Sequence, residues 1–365
     1  MSLHKCKLGE LITQRREKNN DDSLPISGVS KDGLIPPKQQ EADTSLYNMF
    51  YRGDFIFNPA RMELNSIAYN DKYDKAICSS LYEVFYVHRT DLILPEFLAL
   101  IVKQDWFTRY CEFLGQGSAR EYCRFANISE IEIEFPDIDV QKKTVHCYNV
   151  IKRRIELKQQ INDNLEATAQ AVYQSWFINF EPFGGVQPAE WKNGCVEDIA
   201  EFYDSMRKPL SSLERADMKR LYPYYGAVSI VDYVDDYIFD GEYILLSEDG
   251  IYVVDESGHP LIQHIKGKFW ANNHAHILKG KMPFNEDSLH LFLSNTNMAT
   301  IVTGAAQPKI NQANLKSFPI MIPSTEVINR FNRIIGPLYD KILSNTLEII
   351  RLEELKTILI TRMSL

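Results

Sequence analysis

Long apolar runs are missing from this 365-residue chain. No stretch of 18 apolar residues occurs, so no segment is expected to span a membrane. The opening residues Met1-Ser2-Leu3-His4-Lys5 carry no apolar h-region, so no secretory signal is expected and the location expected is cytoplasmic. Cysteine is scarce. The six cysteines (Cys6, Cys78, Cys111, Cys123, Cys147 and Cys195) never form CxxC, which argues against a zinc site and a disulfide framework and leaves free thiols. No GxxxxGK[ST] occurs, so ATP hydrolysis has no loop in which to hold phosphates. Basic charge is not in excess either, since the formal net charge is −9. Taken alone, that weighs against a nucleic-acid binder, because phosphate contacts need Lys and Arg. What decides is whether basic residues cluster on one face. Between Asp232 and Glu256 there are nine acidic residues and no Lys or Arg. That stretch is expected to point away from phosphate, toward solvent or a basic partner.

What is present is length and periodicity. The chain is long enough for two domains with filled cores, and 45% hydrophobic with 24% charged residues is ordinary for a globular protein. From Phe331, residues recur at alternating spacings of four and three: Phe331, Ile335, Leu338, Ile342, Asn345, Ile349, Leu352, Lys356, Leu359 and Met363. This 3.5-residue period is that of a helix lying along a partner helix. A weaker seam lies 187 residues earlier, at Thr144, Tyr148, Ile151, Ile155, Lys158, Asn162, Leu165, Ala169, Val172 and Trp176. The plainer alternative is a pair of core helices in an ordinary globular protein. The polar members Lys158, Asn162, Asn345 and Lys356 either set the register at some cost in stability, or face solvent with the true seam rotated by one residue. Gly336-Pro337 is expected to kink or restart the second helix, because Pro removes an intrahelical bond. A helix of about 35 residues extends about 50 Å.

The seams close two copies of one plan. In the first half, strand-like runs such as Phe50 to Phe57 and Leu81 to Val87 precede a helix expected from about Pro95 to Phe113, with Phe97, Leu98, Ile101, Val102, Trp106 and Tyr110 on one side. A Gly-rich loop at 115–118, a short amphipathic segment and a strand at Ile131 to Pro136 follow, and Asp137 or Asp139 can cap the first seam helix. That helix breaks at Glu181-Pro182-Phe183-Gly184-Gly185. In the second half, Cys195-Val196-Glu197-Asp198-Ile199 sits where Leu8-Gly9-Glu10-Leu11 sits in the first, and Gly241-Glu242-Tyr243-Ile244-Leu245 matches Gly53-Asp54-Phe55-Ile56-Phe57, at an offset of 188. A helix restarts over Phe284 to Leu293. At an offset of 187, Ala313-Asn314-Leu315 matches Ala126-Asn127-Ile128, and Ile320 and Pro323 match Ile133 and Pro136. Ser324 or Thr325 caps the second seam helix. A unit of roughly 185 residues is too long for a solenoid repeat and suits a domain plus a helix.

This order of features resembles the specificity subunit of type I restriction-modification enzymes, over essentially the whole chain. Its sharpest points are Gly304-Ala305-Ala306-Gln307-Pro308-Lys309-Ile310-Asn311 before Ile320-Met321-Ile322-Pro323, Trp270-Ala271-Asn272-Asn273-His274-Ala275-His276, and Tyr237-Ile238-Phe239-Asp240-Gly241-Glu242-Tyr243. The resemblance implies an α+β chain with two pseudo-twofold-related mixed α/β target recognition domains, separated by two long antiparallel coiled-coil spacer helices. The expected division is recognition domain 1 at 1–138, central spacer helix at 139–181, recognition domain 2 at 182–323 and C-terminal spacer helix at 324–365. It also implies a non-catalytic subunit that reads a bipartite double-stranded DNA site. The helices would dock two adenine-N6 methyltransferase subunits, and restriction/translocase subunits would join them. S-adenosylmethionine, ATP and Mg would belong to those partners, with no cofactor in this chain. The alternative from another class is a coiled-coil scaffold or adaptor that joins proteins without reading DNA. In isolation the chain could form a homodimer.

Two motifs point toward methyl transfer and fail. Phe113-Leu114-Gly115-Gln116-Gly117 fits FxGxG but follows a helix, whereas a cofactor loop should follow a strand and open a helix. Asn58-Pro59-Ala60-Arg61 lacks the second Pro and the aromatic that would stack on a flipped base. His274 and His276 are expected on the same side of a strand, with His259 and His264 near, and no carboxylate is expected to complete a metal set. The better use is DNA contact: Asn272 and Asn273 to base or phosphate edges, His274 to phosphate. The bland alternative is a hydrogen-bonded turn. Gln307, Lys309, Asn311 and Gln312 are DNA-contact candidates, or else a solvated loop. Lys268 joins them. In the first half Arg120, Tyr122 and Arg124 occupy the matching loop, and Lys31, Arg61 and Lys72, with Arg15 and Arg16, are further candidates. Lys142, Lys143, Lys152, Arg153 and Arg154 crowd the first seam helix, where they face either DNA or carboxylates of a partner.

Overall fold

The computed structural model describes residues 3–21, 23–37, 43–115, 122–304 and 306–362. Its contacts divide the chain into two units, one of residues 1–157 with 348–365 and one of residues 158–347. The second half repeats the elements of the first. Helix α3 (Phe125–Ser129), strand Glu132–Pro136 and helix α4 (Ile138–Tyr173) have counterparts in helix α8 (Gln312–Lys316), strand Pro319–Ile322 and helix α9 (Thr325–Arg362). The starting residues differ by 187 in all three cases, as the sequence match predicts.

In the first unit, strand Leu3–Lys7 pairs antiparallel with Glu132–Pro136, Cys6 lying opposite Ile133. Strands Ile12–Arg15, Glu83–Val87, Phe55–Phe57 and Ile67–Tyr69 form an antiparallel sheet in that order. The aromatic and β-branched runs suit a pleated, half-buried surface. Phe55 stacks on Phe85 with ring centroids 4.9 Å apart, and both are buried with Phe57, Phe97, Phe107 and Phe135. The stretch from Pro95 to Phe113 is two helices, α1 (Pro95–Ile101) and α2 (Asp105–Gly115), not one. Phe97, Leu98 and Ile101 are buried in α1, and so are Val102 and Gln104 in the connection, where the Gln104 N–H donates to the Ile101 carbonyl at 3.0 Å. Phe107 and Cys111 are buried on α2, while Trp106 and Tyr110, expected on the apolar side, are exposed.

In the second unit six strands are ordered Ala200–Phe202, Ala275–Gly280, Phe239–Ser247, Ile262–Ala271, Tyr222–Tyr225 and Ile230–Val234. All pairs are antiparallel except Tyr222–Tyr225 beside Ile262–Ala271. Short helices α5 (Val196–Ile199) and α6 (Ser212–Ala216) lie in the connections. One face of the sheet, through Ile244, Leu246 and Leu278, packs against helix α7 (Glu286–Ser294) and α9. The other buries Phe239, Tyr243, Leu245, Ile265 and Phe269. Asn285 caps α7 by accepting from the Ser288 N–H at 3.0 Å.

The long helices pair antiparallel within each unit. In the second, the ring of Phe331 meets Tyr173, Trp176 and Phe177, the last two in a π-helical turn that ends α4. Further along, Lys158 Nζ donates to Asn345 Oδ1 at 2.9 Å, and Asn345 Nδ2 donates to Asn162 Oδ1 at 2.8 Å. In the first unit Ile155 is buried and Arg154 pairs with Glu348. The described seam positions, Tyr148, Ile151, Ile155, Leu165, Val172 and Trp176 on α4 and Phe331, Ile335, Leu338, Ile342, Ile349, Leu352 and Leu359 on α9, are all buried or half-buried. Met363 lies outside the described residues. Helix α9 runs through Gly336-Pro337 as one element, so no restart occurs. Phe331 and Ile335, fully buried before the Pro, and Leu338 and Tyr339, packed on the core after it, hold the missing bond in line.

Replacing Asn345, which is fully buried, by Ala removes the acceptor of one Lys158 bond and the donor to Asn162 Oδ1. Urea denaturation should then show a loss of about 1–3 kcal/mol. Changing half-buried Lys158 and Asn162 to Leu together with Asn345→Leu should recover part of that loss, because apolar groups then meet on both sides of the seam.

Candidate nucleic-acid interface

The second unit gathers most of the polar candidates around one buried acid–base cluster. Thr303 and Lys309 exchange backbone bonds at 2.9 and 2.8 Å, closing the loop between them. Gly304 makes that turn at φ +84°, and a Cβ there would meet the Gln307 carbonyl oxygen at 2.4 Å, so only Gly fits. Asn311 caps α8 by accepting from the Asn314 N–H at 2.8 Å. Gln312 Nε2 donates to Asp204 at 2.7 Å. Asp204 also faces His276 Nδ1 at 2.6 Å and accepts the Ile277 N–H at 2.9 Å. His276 Nε2 lies 2.8 Å from the Ile310 carbonyl, so the ring joins the sheet to the loop. Glu248 receives Arg207 and, at 3.0 Å, Lys309 Nζ. Arg207 also donates to the Ala275 carbonyl at 2.7 Å.

The Asn-Asn-His stretch abuts this cluster. Asn272 is buried, and its side chain accepts the His274 N–H at 2.9 Å, so it builds the turn. Asn273 and His274 are exposed, and the His274 ring pairs with Asp249 at 2.5 Å. His274 precedes strand Ala275–Gly280, and His276 is fully buried in it, so the two imidazoles do not share a face. Carboxylates do approach the histidines, contrary to the sequence expectation: Asp204 and Glu248 at His276, Glu242 and Asp287 at His264. They come from strands and loops far apart in sequence. The acidic stretch Asp232 to Glu256 divides likewise. Asp235, Asp236, Asp240, Asp255 and Glu256 are exposed, but Asp232, Glu242, Glu248 and Asp249 turn inward onto Arg215, His264, Arg207 and His274. Arginines and histidines from other elements partner them there, a pairing that composition does not reveal.

Gln307 is exposed on the loop, whereas Lys268 sits elsewhere on strand Ile262–Ala271, its Nζ 4.4 Å from the centre of the Tyr237 ring. Asp204, Glu248 and Arg207 escaped sequence reasoning. The pair Arg207-Lys208 was the one available signal.

In the first unit the Cys123 N–H donates to the Pro59 carbonyl at 3.0 Å, which brings the Asn58–Arg61 turn beside Tyr122 and Arg124. Arg61 is exposed there, while Arg124 lies over the Tyr122 ring at 5.5 Å and 3.6 Å from Glu83. Arg120 falls outside the described residues. Lys31 is exposed at the tip of the hairpin Gly28–Ser30 with Gly33–Ile35, and Lys72 lies 5.0 Å from the Tyr73 ring centre. Arg15 grips the buried Asp54 at 2.7 and 3.1 Å between the rings of Tyr51 and Tyr86, which makes it a core ion pair. Asn58 caps its turn by accepting from the Ala60 N–H at 3.1 Å, and Phe113 to Gly115 end α2.

Burial alone would raise the Asp204 and Glu248 carboxyls. The His276 bond to Asp204 and the Arg207 bond to Glu248 outweigh it and hold both below the usual carboxylate range. A depressed carboxylate contributes stability above its unfolded pKa and loses it as pH falls through the folded one. Asp204→Asn should therefore lower the thermal midpoint at pH 7. Its deficit against the wild type should shrink below about pH 4, where unfolded carboxylates titrate. A pH-independent deficit would show that Asp204 acts through shape alone.

Among the described residues, no helix is long and apolar enough to cross a membrane. A family model, the type I restriction modification DNA specificity domain, matches residues 15–167 and again 188–358. A Haemophilus influenzae chain named as a type I restriction enzyme specificity subunit is 36% identical over 149 residues, 41% of this chain and 37% of that one. The MjaIX specificity subunit of Methanocaldococcus jannaschii is 21% identical over 300 residues, 75% of this chain and 69% of that one. The crystal structure of a type I restriction-modification system S subunit from M. genitalium superposes with a TM-score of 0.61 at 13% identity, over 100% of this chain and 96% of that one, and so shares the fold. With both halves matched by the same model over most of the length, the chain belongs to the type I restriction-modification DNA specificity family.

Proposed function

We propose that this chain is the non-catalytic DNA-reading subunit of a cytoplasmic type I restriction-modification complex. Each repeat reads one half of a bipartite double-stranded site, and the helices set the gap between halves. The observation that carries this proposal is the match of the DNA specificity model to both halves. In the second unit Asn273, His274, Gln307 and Lys309 are the exposed polar groups offered to DNA, while Asn272, Asn311 and Gln312 shape the surface that presents them. In the first, Arg61, Tyr122 and Arg124 form the corresponding group, with Lys31, Lys72 and Arg120 as further phosphate contacts, as Lys268 is in the second.

Methyltransferase and translocase subunits supply S-adenosylmethionine, ATP and Mg chemistry. Apolar side chains left exposed on the helices support their docking: Val150, Leu157, Ile350, Leu355 and Ile358 in the first unit, Ile161, Ile334 and Leu347 in the second. A scaffold that joins proteins without reading DNA would use the same apolar residues. Selection of duplexes from a random pool by the chain with its methyltransferase separates the two. A split motif with a fixed gap supports DNA reading, and no enrichment supports the scaffold.

Lys309→Ala should weaken DNA binding across sequences and reduce the slope of log K against log salt by about 1. An unchanged slope removes Lys309 from the phosphate contacts. Deleting seven residues from each helix shortens them by about 10 Å, or about three base pairs. The selected gap should shorten while each half-site keeps its sequence.

A further inference from the structure

A second cluster in the second unit has the composition of a metal site and the wrong balance of partners for an ion pair. Strands Phe239–Ser247 and Ile262–Ala271 pair so that Glu242 faces Lys266 and Ile244 faces His264. Glu242 and His264 are thus diagonal neighbours on one face of the sheet. That face is covered by α7, whose first turn carries Asp287. His264 Nε2 lies 2.8 Å from Glu242 Oε1 and 3.9 Å from Asp287 Oδ1, and the three ligand atoms all fall within 4.8 Å of one another. Bonds of about 2.0–2.2 Å to a tetrahedral ion put ligand atoms about 3.3–3.5 Å apart. Shifts of roughly half an ångström would close this set.

The surroundings favour a cation. Lys266 Nζ is 3.1 Å from the other oxygen of Glu242, which orients that carboxylate with Oε1 toward His264, where a bound ion would take the place of their hydrogen bond. His290 stacks on the His264 ring at 5.5 Å, and its Nδ1 is 3.2 Å from the Tyr339 hydroxyl, so the imidazole plane is fixed from behind. Glu242 and Asp287 thus place two carboxylates around one imidazole. Side-chain exposures of 14–26% leave the three ligands within reach of a hydrated ion. The Asp204–Glu248–His276 cluster has the same composition, but Arg207, Lys309, Gln312 and the Ile310 carbonyl already occupy its polar atoms.

We propose that His264, Glu242 and Asp287 form a site for a divalent transition metal of the zinc class, with water in the fourth position. Imidazole with two carboxylates suits such an ion better than Mg²⁺ or Ca²⁺, which prefer all-oxygen shells. Its part is structural, clamping two strands to α7 beneath α9, and it stands independently of DNA reading.

The test strips the full chain with a chelator and titrates it with Zn²⁺ by calorimetry and with Co²⁺ by visible absorption. One saturable equivalent, tetrahedral Co²⁺ bands and a thermal midpoint raised by a few degrees are expected. Asp287→Ala removes one of two carboxylates that lie within 4.8 Å of each other, so the metal-free variant should melt no lower than the wild type. It should also lose that equivalent, with affinity falling at least ten-fold, and His264→Gln should do the same. Zinc held by thiols alone would persist in both variants. Binding unchanged in Asp287→Ala, or no saturable binding in the wild type, overturns the proposal.

Discussion

The polar contact at the middle of the helix pair is the constraint on which the architecture turns. Lys158 and Asn345 are equivalent positions of the repeat, 187 residues apart, and they bond each other. Contact between equivalents means the two copies of the helix cross at a matched point. Any slip along the seam would leave a fully buried amide beside apolar side chains, at a cost of about 1–3 kcal/mol per unsatisfied group. Apolar seams tolerate slips; a single buried Asn does not. The aromatic cluster of Tyr173, Trp176, Phe177 and Phe331 then needs only shape to complete the packing.

Charge is arranged by the same logic on the sheet. The net charge of −9 suggests a surface hostile to DNA, yet several carboxylates are spent inside the second unit. Glu248 ties Lys309 and Arg207, Asp204 ties His276 and Gln312, and Asp249 ties His274. These bonds fix a loop whose exposed donors include Gln307 and Asn273. A buried, satisfied network of this kind rigidifies what it holds. The acidic residues therefore act as the frame for the basic ones rather than as their opponents.

How much was legible in the sequence depended on range. The seam positions, the offset of 187 and the strand Glu132–Pro136 follow from local period and internal comparison, and the matched elements start at that offset. The break between Ile101 and Asp105 was not legible, because Phe97, Ile101 and Cys111 keep to one helical face across it and the apolar run has the length of a single helix. Partners far apart in sequence were not legible. Arg15 looked like a free cation because Asp54 lies 39 residues on, and His276 looked like a metal ligand without carboxylates because Asp204 is 72 residues back. Side-chain type predicts that a buried charge has a partner; it does not say which.

Pro337 shows the same limit from the other side. Proline in a helix interior destabilises by about 3 kcal/mol, which is why a break is the natural expectation. The helix persists because the residues flanking the defect are where α9 is best anchored: Phe331 and Ile335 are wholly buried and Leu338 and Tyr339 pack on the core. Full burial of Phe331 and Ile335 alone contributes about 1.5–3 kcal/mol each, enough to offset the defect. The strength of a local rule is thus set by what tertiary packing surrounds it. For that reason the uninterrupted course of α9 could not be deduced from the sequence around Pro337 alone.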